Sequence, residues 1–223
     1  MKKMALDEAL ISNGIGASVQ QMMSRPLSEI AQLELYQRGE KIVRYDQGTD
    51  KLFILLEGKA KIYMIHEDGK QSIIHFMHPG ELIGELTLLG VEEQTKDVVA
   101  QTTCLCLAIP MEEHQGELLR DVLFLQQLSV YLAEKLLSRT NRFSEGLNYP
   151  LINRLAAFIL YTESAGYYRE KHTEVAEYLS VSYRHLLHTF QQLRSEGVIT
   201  KEGLGYRLND RQKLAKLAKD IPA

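Results

Sequence analysis

The sequence predicts an α+β chain in three parts: a β-sandwich or barrel, a long helix, and a C-terminal helix-turn-helix with a wing. Three observations carry this. Between Gly39 and Ile109, short apolar or alternating runs are punctuated by glycine, at the spacing of an all-β domain. After Pro110 apolar residues recur at three- and four-residue steps as far as Phe143. After Pro150 come three shorter helical segments and a glycine-containing hairpin.

The elements follow in chain order. Residues 1–25 carry no strong signal, and the segment is expected to be poorly ordered. Leu52–Leu56 is an apolar run closed by Glu57-Gly58, and Lys59–Ile65 alternates roughly with period two. His66–Lys70, with its Asp-Gly pair, predicts a tight hairpin turn. Ser72–Met77, Val98–Thr102 and Cys104–Ile109 are further strands. From Glu112 to Phe143 there is no proline and only Gly116, so one helix is expected there, with Leu125, Leu128, Leu132 and Leu136 on its apolar stripe. About 25–30 residues at 1.5 Å each make roughly 40 Å. That exceeds what a small β-domain needs for cover, and the surplus stripe suits the same helix of a second copy. Helices are then expected over Leu151–Tyr161, Thr173–Leu179 and Tyr183–Glu196. Val198–Lys201 and Tyr206–Leu208 form the hairpin around Glu202–Gly205. The domain boundaries so read are 26–110, 111–146 and 147–223.

At 45% hydrophobic and 25% charged residues, the 223-residue chain has a globular composition, which excludes disorder and a fibrous repeat. No apolar stretch approaches the roughly 20 residues that cross a bilayer, and the acidic pair Asp7-Glu8 comes too early for a secretory signal. No membrane partner and a cytoplasmic location are expected. The net charge of −3, taken alone, opposes a nucleic-acid partner. It is uneven, however: residues 1–110 carry 11 basic and 15 acidic side chains, whereas 150–223 carry 11 and 8. The C-terminal third is the only basic part.

That third holds the most specific motif, Lys171–Leu193. Val175, Ala176 and Leu179 give a short helix an inner face, and small Ala176 permits a close crossing. Ser180-Val181-Ser182 makes the turn, with Val181 plugging the angle and Ser182 as N-cap. On the next helix Leu186, Leu187, Phe190 and Leu193 are expected inside. Arg184, His188 and Gln191, at i, i+4 and i+7, share the outer face. With Ser182 and Tyr183 they are the candidate base readers, and Arg184 suits a bidentate contact to guanine. Lys171, His172, Lys201 and Arg207 are the candidate phosphate contacts. Double-stranded DNA is thus the expected partner.

The chain from about Gly39 onward resembles the cAMP receptor protein/FNR (Crp/Fnr) superfamily of bacterial transcription regulators. The resemblance lies in Gly39–Ile42, Phe53–Tyr63, Pro79–Leu86 and the helix-turn-helix. Within the superfamily, Asn153–Leu160 and Glu177–Leu187 are most similar to the YeiL-type regulators. The resemblance implies an N-terminal double-stranded β-helix, which is a cyclic-nucleotide-binding-like jelly roll. It further implies a long dimerisation helix and a winged helix-turn-helix, in a homodimer on a palindromic promoter site. RNA polymerase would be a partner if the protein activates.

The resemblance also defines a candidate effector pocket: Gly84, Glu85, Leu86, Thr95, Arg139 and Thr140. In cAMP-binding members an Arg-Ser pair neutralises the cyclic phosphate; here those positions fall on Gln94-Thr95, with Glu92 and Glu93 beside them. Losing a charge-assisted contact and gaining two acids argues against a cyclic nucleotide, so the small-molecule effector is unknown. Cys104 and Cys106 are too few for a four-cysteine cluster and are small core hydrophobes or a candidate redox pair. Nothing singles out an axial ligand among His66, His75 and His78, so no cofactor is expected. His75 and His78, three apart on a strand, face opposite ways and poorly suit a cupin-like metal enzyme. No metal site or catalytic residue is assigned. A jelly-roll module that binds a small molecule or a protein, without DNA, is the other alternative.

Overall fold

The computed structural model describes residues 2–4, 14–65, 71–92 and 94–218, with the backbone alone at residues 2–4, 142, 145 and 147. The Asp-Gly turn at 66–70 and Glu93 therefore lie outside the described residues. The chain divides into two compact units, residues 1–133 and 134–223.

The first unit is built on two antiparallel sheets. Strands β1 (Lys2–Met4), β2 (Gln32–Tyr36), β9 (Cys104–Pro110), β4 (Lys51–Glu57) and β7 (Leu82–Ile83) lie side by side in that order. The second sheet runs β3 (Lys41–Val43), β8 (Asp97–Ala100), β5 (Ala60–Ile65) and β6 (Gln71–Met77). One core joins the sheets face to face: Tyr36, Phe53, Leu55, Cys104 and Cys106 from the first meet Val43, Ala60, Ile62, Met77 and Val98 from the second. This is the predicted roll.

A second core covers the other face of the five-stranded sheet. Leu33, Leu52, Ile54, Leu56, Leu107 and Ile109 pack there against Val19, Met23, Leu27, Ile30, Met111, Leu118, Phe124 and Leu128. Strand β4 thus has both faces buried, which is why it reads as a continuous apolar run rather than an alternation. Two glycines are fixed by close approach at positive φ. A Cβ on Gly58 (φ 94°) would lie 2.3 Å from the Thr103 carbonyl, and one on Gly84 (φ 90°) 2.7 Å from that of Lys51. A buried charge sits between β2 and β4: Glu34, fully enclosed, accepts from the Tyr36 hydroxyl at 2.7 Å and from Lys51 Nζ at 3.0 Å.

Three expectations are corrected here. Where residues 1–25 are described, at 2–4 and 14–25, they carry structure: β1 pairs with β2, and helix α1 (Ile15–Gln20), followed by α2 (Leu27–Ile30), covers the sheet. The single helix over Glu112–Phe143 is two: α4 (Met111–Leu118), which follows the short α3 (Glu85–Leu88), and α5 (Val122–Asn148). Asp121 makes the break. Its Oδ1 accepts the N–H groups of Leu123 and Phe124 at 3.0 and 3.2 Å, capping α5, and its carboxylate also holds the N–H and hydroxyl of Ser24. Finally, the leucines assigned to a partner helix mostly face the chain's own roll. Leu128 is buried, Leu125 and Leu132 are half-buried against the same core, and of the four only Leu136 is exposed. An i, i+4 stripe covers whichever apolar surface lies nearest, and here that surface is the five-stranded sheet. Among the described residues, the large apolar side chains that α5 leaves in solvent are Val122, Leu123, Val130, Leu136, Leu137 and Phe143.

The second unit holds the rest of α5, then α6 (Leu151–Thr162), α7 (His172–Tyr178), α8 (Tyr183–Ser195) and the hairpin β11 (Ile199–Glu202) and β12 (Gly205–Leu208). Two elements escaped the sequence reading. Strand β10 (Tyr167–Tyr168) adds to β12 to make a three-stranded wing sheet, and α9 (Arg211–Leu217) is capped by Asp210, whose Oδ1 accepts the Lys213 N–H at 2.8 Å. Leu151, Leu155, Phe158 and Ile159 of α6 are buried as their spacing predicts.

Replacing Asp121 by Ala removes a helix cap and the tie to Ser24. The first unit should lose about 1–2 kcal/mol, read as a lower urea midpoint by circular dichroism, whereas Asp121→Asn should retain most of the stability.

Candidate nucleic-acid interface

Helices α7 and α8 are joined by four residues, Leu179–Ser182, pinned by backbone hydrogen bonds. Ser180 N–H bonds to the Glu177 carbonyl and Val181 N–H to that of Ala176, both at 2.9 Å. Ser180 takes a left-handed conformation (φ 53°), which reverses the chain sharply after α7. Val181 is half-buried in the angle. Ser182 is the N-cap of α8, as its sequence context predicts: its Oγ accepts the His185 N–H at 3.2 Å. From α6, Arg154 Nη1 donates to the Leu179 carbonyl at 2.7 Å, so this arginine anchors the turn.

The packing divides α8 into two faces. Leu186, Thr189, Phe190 and Leu193, at i, i+3, i+4 and i+7, are buried. Leu187, expected inside, is 39% exposed, and Thr189 takes the inner position instead. The Thr189 hydroxyl is satisfied by the His185 carbonyl at 3.0 Å, so it can be buried. Ser182, Tyr183, Arg184, His188 and Gln191 are all exposed.

The candidate phosphate contacts separate. Lys171 is exposed and 3.6 Å from Glu174. Lys201 and Arg207 are exposed on the wing, but the register pairs Lys201 with Tyr206 and Thr200 with Arg207. Directly opposed residues share a face, so the two cations project from opposite faces of the hairpin. His172 is a correction. Its ring stacks on Phe190 (4.2 Å between centroids, 16° between planes) and on Tyr206 (5.6 Å, 19°). Burial lowers its pKa, and nearby Lys201 lowers it further. It is a neutral tile between α8 and the wing rather than a cation for phosphate.

In the first unit, Gly84 precedes α3 and Glu85, its first residue, is buried; Leu86 is half-buried. Thr95 donates its hydroxyl to the Arg44 carbonyl at 3.1 Å, and Lys96 forms an ion pair with Glu92. One of the two acids beside the candidate anion position is thereby neutralised. Arg139 and Thr140 belong to the second unit, both exposed, with the Thr140 hydroxyl bonded to the Leu136 carbonyl at 3.0 Å. Cys104 and Cys106 are completely enclosed, and burial pushes both thiols up, away from the thiolate that redox chemistry uses. His75 Nε2 lies 2.5 Å from Glu81 Oε2. Among the described residues, no three His, Cys, Asp or Glu converge on a metal position, and no helix is long and apolar enough to cross a membrane.

Comparison with known proteins places both units. Residues 33–121 match the cyclic nucleotide-binding domain family, and residues 153–217 match the Crp-like helix-turn-helix domain family. The chain is 39% identical over 180 residues to regulatory protein YeiL of Escherichia coli O157:H7, covering 81% of this chain and 82% of that one. It is 22% identical over 224 residues to a CRP-like cAMP-activated global transcriptional regulator of Mycobacterium tuberculosis, covering 96% of this chain and all of the relative. In fold it matches a regulator of the crp/fnr family from Eubacterium rectale (TM-score 0.73, 14% identity, 86% of this chain and 92% of that one). It also matches a CRP-family regulator from Thermus thermophilus (TM-score 0.68, 19% identity, 83% and 96%).

A neutral, stacked His172 links stability to pH. Its folded pKa lies below the ordinary value of 6.5, so the stabilisation is complete above that pH and is lost as pH falls from there toward the folded value. Melting followed from pH 8 to pH 5 should show the second unit losing stability in that window. His172→Phe, which keeps the stack, should flatten the dependence.

Proposed function

Since the chain belongs to the Crp/Fnr family of DNA-binding transcription regulators, we propose that it works as a homodimer on a palindromic promoter site, reading bases with the outer face of α8. The carrying observation is the exposed set Ser182, Tyr183, Arg184, His188 and Gln191, held on a helix whose opposite face is wholly buried. A capped helix seated on a three-stranded wing is rigid enough to enter a major groove, and these side chains supply donors and acceptors for base edges. Arg184 takes guanine in a bidentate contact. Lys171 and Lys201 meet phosphates beside α8; Arg207, on the other face of the hairpin, can reach only a separate stretch of backbone, and His172 is not a phosphate contact.

The dimer contact runs through the solvent-facing stripe of α5 that carries Val130 and, seven residues on, Leu137, rather than through Leu125, Leu128 and Leu132. The boundaries of the working parts are those of the roll, this helix and the winged unit. The roll is a sensor, and its effector is not a cyclic nucleotide: Gln94 and Thr95 stand where the family's cAMP binders place an Arg-Ser pair, and the Thr95 hydroxyl is engaged by Arg44. The cAMP activation named for one relative is therefore not carried over. A signal reaches DNA by shifting α5, whose first turns sit in the roll's outer core. RNA polymerase is the partner in the activating mode. The protein acts in the cytoplasm, and no catalytic step is assigned to it.

Selection of bound duplexes from random DNA tests the reading. On the selected site Arg184→Ala should cost about 1–3 kcal/mol and relax one base position per half-site, while Lys201→Ala should weaken binding to all sequences and lower the salt slope. Val130→Glu combined with Leu137→Glu should sediment as a folded monomer with little affinity for the site. Leu128→Glu should instead unfold the first unit.

A further inference from the structure

We propose that Leu187 reads the 5-methyl group of a thymine, one in each half-site, and so is a specificity-determining residue beside Arg184. The inference rests on α8 being the DNA-reading helix and goes beyond it in naming a base feature and the side chain that senses it. Of the three leucines on α8, Leu186 and Leu193 are fully buried, whereas Leu187 is 39% exposed. The core does not need it, because Thr189 fills the inner position with its hydroxyl satisfied. Helical spacing sets Leu187 four residues after Tyr183, three after Arg184 and four before Gln191, so its neighbours along the surface are three of the candidate base readers.

An aliphatic group among hydrogen-bonding side chains has a defined counterpart in the major groove. Thymine carries a methyl at C5 where cytosine has only hydrogen, and that methyl is the groove's one apolar feature. Hydrogen-bonding side chains alone cannot use it. Leu187 is branched and spans enough surface to cover one methyl, and the flanking guanidinium and amide fix its register against the base edges. The basic surroundings, with Arg184, Arg194 and Lys201 all exposed, favour a polyanion as the occupant of this face over an apolar protein surface.

The test uses the full chain and its selected duplex, with each thymine in turn replaced symmetrically by deoxyuridine, which lacks only the methyl. One thymine per half-site, within a base pair or two of the position that Arg184→Ala relaxes, should show weaker binding by about threefold per half-site and roughly tenfold for the duplex. Leu187→Ala should bind the thymine duplex about that much more weakly and should no longer distinguish thymine from deoxyuridine there. Its discrimination at other positions and its melting temperature should be unchanged. Leu187→Met, which keeps an apolar surface, should retain part of the discrimination. A wild-type chain indifferent to every replacement, or a Leu187→Ala variant that discriminates as the wild type does, overturns the proposal and leaves the DNA-reading helix standing. A chain that selects no sequence overturns both.

Discussion

Strand β4 presents Phe53 and Leu55 to one core and Leu52, Ile54 and Leu56 to another, and a strand apolar on both faces persists only while each face stays covered. The four-stranded sheet covers one side. Helices cover the other: α1 and α2 from before the roll, α4 and the first turns of α5 from after it. Burying leucine-sized side chains is worth about 1.5–3 kcal/mol each, so neither cover can be peeled away cheaply. The long helix is therefore not an appendage to the sensor. Phe124 and Leu128 make it part of the layer that the sheet needs.

The second unit solves a smaller version of the same problem. Its aromatic centre, Tyr168, Phe190, Tyr206 and His172, locks α8 against the wing sheet, while Phe158 and Tyr178 bring in α6 and α7. Stacked rings resist rotation as well as separation, so the outer face of α8 keeps its orientation toward the wing. Arg154 adds a polar tie to the turn. Apart from Ser182, which caps α8, the polar outer face is thus free of structural duty, which suits a surface whose residues are chosen for what they touch.

How much of this is legible in the sequence depends on whether the deciding partner is local. Glycines Gly58 and Gly84, the apolar run of β4, Pro110, Pro150 and the cap at Ser182 are local signals, and each marks its feature correctly. The failures share a cause. Leu125, Leu128 and Leu132 form a real stripe, but periodicity does not say whether a sheet or a second helix covers it. Leu187 and Thr189 exchange places because hydrophobicity is weighed above phase: residues 186, 189, 190 and 193 keep the helical step, and a threonine can be buried by bonding to its own helix. His172 reads as a surface cation because its stacking partners lie 18 and 34 positions away. Asp121 is a readable cap, hidden inside a stretch where one long apolar pattern continues across it. The N-terminal helices lack any strong periodicity and become apparent only once a sheet face is seen to need them.

Helix α5 spends its first turns holding the roll together and displays Val130, Leu137 and Phe143 to solvent further on. In the homodimer proposed above, one helix would serve two equilibria, folding of the roll and pairing of protomers, and neither would have a free energy of its own. Such pairing would favour the folded chain by mass action, and the protein's heat tolerance would rise with its concentration. Copy number becomes a stability parameter: a cell holding few molecules would hold them closer to unfolding and to proteolysis, and scarcity would hasten its own clearance.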